Sequence, residues 1–461
     1  MHDTPAVVDE DGSRYRLGPQ LGCGGQGRVH ALVGERFAVK LLLDRSPERR
    51  EALRERLAHV RRLDLAGLPI ARPLALLRRP HVGYIMELLT GMRPLQRLLA
   101  PPPGGGSALA WYRETGGLRR RLHLLARIAE VLSAVHGRGL AYGDPSPHNV
   151  FVSEASDAHE VRLIDADNLC QSAAPDAGRL HTAGYGAPEL VRGTGAINTL
   201  TDAHGFAVMA FEALALAHPL LGDAVRDGDP DDEQRALAGE LPWIDDPEDR
   251  SNASRAGLDR AVVLSPRLVE LCRLTFGVGL RAPQARPGLV RWTEALDTAA
   301  HSTLRCPVCA WTFYLTQDRC PACDAPRPGF VLALLHLWDP EAGSLMPSRP
   351  ASAGASPPKS VGFIAVDEQD AVDLPHRLAR EDGDATPLLR LAVRGDRLEL
   401  SADPAHGLQL HESATSTPRP IGERPLTLRL APGANPYAVH FGPSHTFHRV
   451  LGFQRHPGGT R

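Results

Sequence analysis

Tyr142-Gly143-Asp144-Pro145-Ser146-Pro147-His148-Asn149-Val150-Phe151 and the later Leu163-Ile164-Asp165-Ala166-Asp167 are the stretches on which the reading of this chain turns. The first sets Asp144 and Asn149 five residues apart on a loop stiffened by two prolines. The second is an apolar strand-like run ending in Asp165, sixteen residues after Asn149. Oxygen ligands at the end of a strand suit Mg²⁺ (or Mn²⁺), which keeps several of its waters. Asp165 and Asn149 are therefore candidate metal ligands. Asp144 is the candidate base, placed to orient a hydroxyl and accept its proton. Asp167 stays open between a further metal ligand and a plain loop acid. Each acid alone is more often a cap or turn residue, and the ordered set carries the argument.

Upstream, Gly22, Gly24 and Gly27 stand in LGCGGQGRV between strand-like runs. Glycines let backbone approach a phosphate closely, although such a triplet also occurs as an ordinary turn. Lys40 follows in Phe37-Ala38-Val39-Lys40 among apolar neighbours, where an ammonium needs a counter-charge unless it reaches water. Leu53, Leu57 and Val60 mark a helix over Glu48 to Leu63, and Leu125, Ile128, Leu132 and Val135 mark another that His136-Gly137 ends. A mostly helical region is expected from Asp202 to about Ala300, with an acidic loop from Asp223 to Asp249.

Gly22, Gly24, Gly27, Lys40, Asp144, Asn149 and Asp165, in this order, resemble the signature set of protein kinases. The resemblance covers roughly residues 14 to 300. It implies a bilobal fold, with an N-lobe over about 14–90 and a C-lobe over about 91–300, and transfer of the γ-phosphate of ATP to a protein serine or threonine. By the same resemblance Val29, Ala38, Met86, Glu87, Leu89 and Phe151 line the ATP site, with Glu87 and Leu89 as hinge. Thr182 lies beside the catalytic aspartate, in a substrate loop ending in Ala187-Pro188-Glu189. Asp202 braces the catalytic loop and Arg286 pairs with Glu189. The helix glutamate that pairs with the lysine falls on Glu51 or Glu55, with Glu55 preferred on spacing. Gly-Asp-x-Ser-Pro-x-Asn together with Asp-x-Asp is similar to a bacterial branch whose members accompany a von Willebrand-type protein and a metal-dependent phosphatase. The chain departs from the family at Tyr142-Gly143, where His-Arg is usual. It departs again at Ser146, where lysine is usual, and at Asp165-Ala166-Asp167, where Asp-Phe-Gly is usual. Gly143 has no side chain to read an activation-loop phosphate, so phosphorylation there, Ser172 being the obvious hydroxyl, is not expected to be required. A nucleotide-binding scaffold and a small-molecule kinase are the rival readings.

Beyond the helical region, Cys306-Pro307-Val308-Cys309 and Cys320-Pro321-Ala322-Cys323 flank a short Trp311-to-Tyr314 strand. Four thiolates on two tight turns suit one structural Zn²⁺. The expected order is a kinase-like domain, a zinc ribbon over 301–330, a linker over 331–360 and a small all-β domain over 361–461: an α+β chain. The linker is richest in Pro, Ser, Ala and Gly from Glu341 onward. In the last domain Gly395-Asp396 joins Leu389, Leu391 and Val393 to Leu398 and Leu400 as a hairpin. That domain faintly resembles forkhead-associated domains. With 52 Lys and Arg against 54 Asp and Glu, nothing in the net charge of −2 calls for nucleic acid or an anionic membrane. Paired and isolated cysteines, with no long apolar run, point to a cytoplasmic protein without a membrane span.

Overall fold

A computed structural model describes residues 5–24, 27–43, 46–104, 106–172, 181–346, 358–379, 386–412 and 417–459. The chain divides into two units, Met1–Trp111 with Arg120–Ala295, and Tyr112–Arg119 with Leu296–Arg461.

In the first unit, β1 (Ala6–Val8), β2 (Arg14–Gly24), β3 (Gly27–Leu32), β4 (Phe37–Leu42), β5 (Ala75–Leu76) and β6 (Gly83–Glu87) form one sheet in the order β1-β2-β3-β4-β6-β5. All neighbours run antiparallel. Register sets Val29 opposite Lys40, Lys40 opposite Tyr84, and Ala38 opposite Met86. Opposed residues of an antiparallel pair share a face, so these five side chains line one side of the sheet. Two glycines allow the strands to close on β4. A Cβ on Gly27 would sit 2.4 Å from the Leu41 carbonyl oxygen, and one on Gly83 (φ +154°) 2.0 Å from that of Lys40.

Helix α1 (Pro47–Arg62) starts where Ser46 accepts the Arg49 amide and Pro47 takes the first turn. It buries Leu57 and Val60 under the sheet-side core, with Ala38, Tyr84 and Met86 in the same cluster as Leu57. After β7 (Met92–Pro94) come α2 (Ala108–Glu114) and α3 (Gly117–Gly137). Leu125, Ile128, Leu132 and Val135 of α3 are fully buried. The spacing that predicts this helix from sequence also puts those four residues on one face.

Two small sheets follow, β10-β9-β7 and β11-β8, built from β8 (Leu140–Ala141), β9 (Val150–Ser153), β10 (Val161–Leu163) and β11 (Cys170–Gln171). Next come α4 (Pro188–Val191) and α5 (Thr199–Ala215), whose Asn198 and Thr201 form a reciprocal cap. The acidic tract expected as a loop carries two helices, α6 (Asp223–Arg226) and α7 (Pro230–Leu237). In α7, Pro230 opens the helix and Asp231, Asp232 and Glu233 occupy its first turn, where carboxylates suit the helix dipole. Helices α8 (Arg260–Val263), α9 (Pro266–Phe276) and α10 (Leu289–His301) complete the helical part.

In the second unit, β12 (Thr303–Arg305) pairs with β13 (Thr312–Tyr314). Residues 331–339, placed in a linker by the sequence reading, instead belong to strand β14 (Phe330–Asp339). It is flanked by β16 (Ser360–Asp367) and β24 (His448–His456), and it sends Val331, Ala333 and Leu335 into one core cluster and Phe330 and Leu332 into another, so the run Phe330 to Leu335 is apolar on both faces. β15 (Ser344–Leu345), β20 (Gln409–His411), β21 (Arg419–Pro420) and β23 (Gly433–His440) complete that seven-stranded sheet. A four-stranded sheet holds β17 (Val372–Pro375), β18 (Pro387–Arg394), β19 (Arg397–Ser401) and β22 (Leu426–Arg429). The hairpin at Gly395 (φ +63°) pairs Leu391 with Leu400 and Val393 with Leu398, in the register expected. Val331, Leu335, Leu391, Leu398, Leu451 and Phe453 belong to a core drawn from both sheets. One helical turn, α11 (His376–Ala379), interrupts the strands.

Candidate active site

A cavity of about 760 Å³ in the first unit gathers most of the residues singled out from sequence. Gly22, Gly27, Val29, Ala38 and Lys40 come from β2 to β4, and Met86, Glu87 and Leu89 from β6 and the segment after it. Asp144, Asn149, Phe151, Asp165 and Thr182 come from the later part of the same unit, after α3. A Cβ on Gly22 would meet nothing within 4 Å, whereas Gly27 is required by the closeness of β4. Gly24 pairs with Gly27 at the end of the β2–β3 ladder.

Asp144 is held on both oxygens. Its Oδ1 accepts the Thr182 amide (2.8 Å), and its Oδ2 accepts the Thr182 hydroxyl (2.8 Å) and the Asn149 carboxamide (2.9 Å). The Asn149 carboxamide also donates to the Asp144 carbonyl (3.0 Å), which closes the loop on itself. Beneath it, fully buried Asp202 of α5 accepts the amides of Tyr142 (2.6 Å) and Gly143 (2.9 Å) and lies 3.0 Å from the His136 ring. The Tyr142 hydroxyl donates to the carbonyls of Asn149 and Ile164, tying the loop to the strand that delivers Asp165. Gly143 has φ +94°, and a Cβ there would lie 2.8 Å from the Asn168 carbonyl oxygen. An arginine at this position is thus excluded by backbone as well as by space. Residues 173–180 of the segment between Asp165 and Glu189 lie outside the described residues.

Asp165 has a left-handed backbone (φ 54°) and opens the short 3₁₀ turn Ala166–Asn168. The turn sends Asp165 and Asp167 to different places. The side chain of Asp165 is 27% exposed and lines the cavity; that of Asp167 is 7% exposed and does not. Lys40 Nζ donates to Asp167 Oδ1 (3.0 Å) and Oδ2 (3.3 Å) and lies 2.9 Å from Asp165 Oδ1. The Tyr84 hydroxyl donates to Asp167 Oδ1 (3.1 Å). Burial works against the charge of Lys40, but Asp167 and then Asp165 outweigh it and hold the ammonium above its usual pKa. Burial raises the Asp165 carboxyl, partly offset by Lys40.

This geometry corrects the expected lysine partner. Glu55 is exposed on α1, and Glu51 pairs with Arg79 (2.7 Å) on the surface. The acids of α1, Glu48, Glu51 and Glu55, are all exposed, and the carboxylates that hold Lys40 are those of Asp165 and Asp167. Farther out, Arg286 grips Glu189 with two parallel bonds, 2.7 and 2.8 Å, in a buried pair. The Tyr185 hydroxyl donates to Glu212, and His218 Nε2 lies 2.9 Å from the Gly184 carbonyl oxygen. The sequence reading missed Tyr84, Tyr185 and Glu212.

In the second unit, the sulfurs of Cys306, Cys309, Cys320 and Cys323 all lie within 4.8 Å of one another. Cys306 to Cys323 and Cys309 to Cys320 are each 3.6 Å. A tetrahedron with Zn–S of about 2.3 Å has S–S edges of about 3.8 Å, so the set fits one zinc, while a disulfide needs about 2.05 Å. The two knuckles repeat each other. The amides of Cys306 and Cys320 donate to the carbonyls of Trp311 and Ala325, and those of Ala310 and Asp324 donate back to Cys306 and Cys320. Ala310 (φ 60°) and Asp324 (φ 58°) make the same left-handed turn after each pair.

No family model matches the chain. It is 27% identical over 313 residues to serine/threonine-protein kinase pkn2 of Myxococcus xanthus, covering 63% of this chain and 33% of that protein. It is 28% identical over 215 residues to Pkn1 of the same organism, covering 43% and 28%. Against the DNA damage-responsive serine/threonine-protein kinase RqkA of Deinococcus radiodurans it is 27% identical over 224 residues, covering 46% and 31%. The chain therefore spans about a third of the length of each of these curated relatives. The sequence similarity is to protein kinases, bacterial serine/threonine protein kinases among them.

Proposed function

We propose that this chain is a serine/threonine protein kinase of bilobal kinase fold, which transfers the γ-phosphate of MgATP to a hydroxyl of a protein substrate. The observation that carries the reading is the convergence of Lys40, Asp144, Asn149, Asp165 and Thr182 on one cavity. Val29, Ala38, Met86 and Phe151, which line the cavity, would enclose adenine, and backbone of Glu87 and Leu89 would bond its edge. Lys40 meets the phosphates and neutralises charge on them. Asp165 and Asn149 supply the oxygen ligands for a divalent metal, which screens the triphosphate when bound. Asp144 orients the substrate hydroxyl and takes its proton as the new P–O bond forms and the bond to the leaving ADP oxygen breaks. Thr182, bonded to Asp144 through amide and hydroxyl, holds that carboxylate in one rotamer.

The four cysteines hold one structural Zn²⁺ in the second unit. Pairing with a von Willebrand-type protein and a metal-dependent phosphatase rests on the family resemblance alone.

The test is transfer of label from MgATP to serine or threonine, on the protein itself or on a protein substrate. Asp144→Asn should retain nucleotide binding and lose transfer by about 10²-fold or more, the typical worth of a positioned base. Equal rates for wild type and Asp144→Asn would replace the enzyme reading with that of a nucleotide-binding scaffold.

A further inference from the structure

Lys40 is a buried ammonium, only 4% exposed, on a strand whose neighbouring helix offers it no carboxylate. Its counter-charge comes from elsewhere. Lys40 and Tyr84 are directly opposed on β4 and β6, and both reach across to Asp167. Tyr84 is fully buried, so its hydroxyl has little freedom to choose another acceptor. We propose that Asp167, clamped by Tyr84, is the residue that positions Lys40 against the phosphates, so that the ATP site is assembled without any carboxylate from α1. This rests on the kinase reading and adds to it a statement about control: movement of α1 does not make or break the lysine contact.

The alternative for Asp167 is metal ligation, and the geometry disfavours it. Asp165 faces the cavity and Asp167 lies behind Lys40, away from its lining. Turning Asp167 towards a metal would take the acceptor from two buried donors, Lys40 and Tyr84, and leave both unsatisfied. Division of labour avoids that cost. Asp165 is free to leave Lys40 for a metal, because Asp167 still pairs the ammonium. The two acids are separated by one residue of a single turn, so the lysine and the metal ligand are positioned relative to each other by the same short segment.

The experiment compares Asp167→Asn, Asp167→Glu, Tyr84→Phe and the double variant Glu51→Ala with Glu55→Ala, each checked for folding by thermal melting. Asp167→Asn should lower kcat by about 10²-fold, the cost of misplacing a positioning group by roughly 1 Å. Asp167→Glu should recover part of the loss, Tyr84→Phe should show a smaller one, and the double variant should stay near wild type. A second readout is independent of turnover: Mn²⁺ binding with ADP, followed by electron paramagnetic resonance. It should survive in Asp167→Asn and vanish in Asp165→Asn. Loss of Mn²⁺ binding in Asp167→Asn would make Asp167 a metal ligand and overturn the proposal, as would a double α1 variant as impaired as Asp167→Asn. Should Asp167→Asn fail to fold, a Tyr84→Phe enzyme with unchanged kcat would overturn it. An active wild type with an unaffected Asp167→Asn defeats only this proposal, whereas an inert wild type defeats the kinase reading and this inference together.

Discussion

Among 52 basic residues, the chain has only two lysines, Lys40 and Lys359. Lys359 is exposed, whereas Lys40 is buried, and at a buried site a compact ammonium and a planar guanidinium are not interchangeable. The Nζ of Lys40 sits among Asp167 Oδ1 and Oδ2 and Asp165 Oδ1 within 3.3 Å. Lys40→Arg keeps the charge but should still lower transfer by about 10²-fold, because the guanidinium cannot reach the same point between phosphate and carboxylates. Phosphotransfer rates for Lys40→Arg near wild type would show that charge is all the site requires. The composition was legible, as were Asp144, Asn149 and Asp165 from their order. The partner of Lys40 was not, because it depends on which way a three-residue turn sends a side chain, and spacing along α1 carries no such information.

At the scale of elements, periodicity located α1, α3 and the Gly395 hairpin, since each has one buried face. It failed where burial is two-sided or supported from afar. β14 packs Val331, Ala333 and Leu335 into one core cluster and Phe330 and Leu332 into another, and α7 is a short acidic helix whose Ala236 and Leu237 alone are buried. The contact between the Tyr185 loop and α5 was likewise invisible, and it gives a pH signature. Burial raises Glu212 from 4.5 to about 7, with the Tyr185 hydroxyl acting the other way. Burial lowers nearby His218 from 6.5 to about 4. A raised acid binds its proton more tightly when folded, so its contribution is full below about 4.5 and is lost as pH rises towards 7. A depressed histidine does the reverse, contributing above about 6.5 and losing this as pH falls towards 4. The two slopes oppose each other in the wild type, each worth about 3 kcal/mol at roughly 1.4 kcal/mol per pH unit. Glu212→Gln removes one of them. Its stability relative to wild type, from urea titrations, should therefore rise by about 3 kcal/mol between pH 4.5 and 7.5. A difference that stays flat with pH would mean that Glu212 titrates normally.

The whole molecule departs from sequence order in one respect that no local pattern encodes: Tyr112–Arg119 belongs to the second unit, far along the chain from the rest of it. Tyr112 stacks on Trp311 at 5.4 Å, between the two cysteine knuckles. The Arg119 amide donates to the Thr312 hydroxyl, and its guanidinium reaches Thr303, Asp367 and Asp370. Asp367 is 1% exposed and also accepts the Arg305 amide, so Arg119 neutralises a buried carboxylate that ties β12 to the end of β16. A boundary drawn near residue 300 cuts through this arrangement. A 296–461 fragment purified with zinc should still carry one metal per chain, because all four thiols are present. It should nevertheless be less stable than the same region in the full chain, since it lacks the stack on Trp311 and the charge on Asp367. Arg119→Ala in the full chain isolates the second loss. Removing one partner of a buried pair costs about 3–5 kcal/mol. Hydrogen exchange of the peptides holding β12, β13 and β16 should speed up accordingly, while those holding β3 and β4 stay as protected as before. If the fragment and the full chain exchange equally slowly at β12 and β13, Tyr112–Arg119 is a bystander, and the second unit closes on the residues after 295 alone.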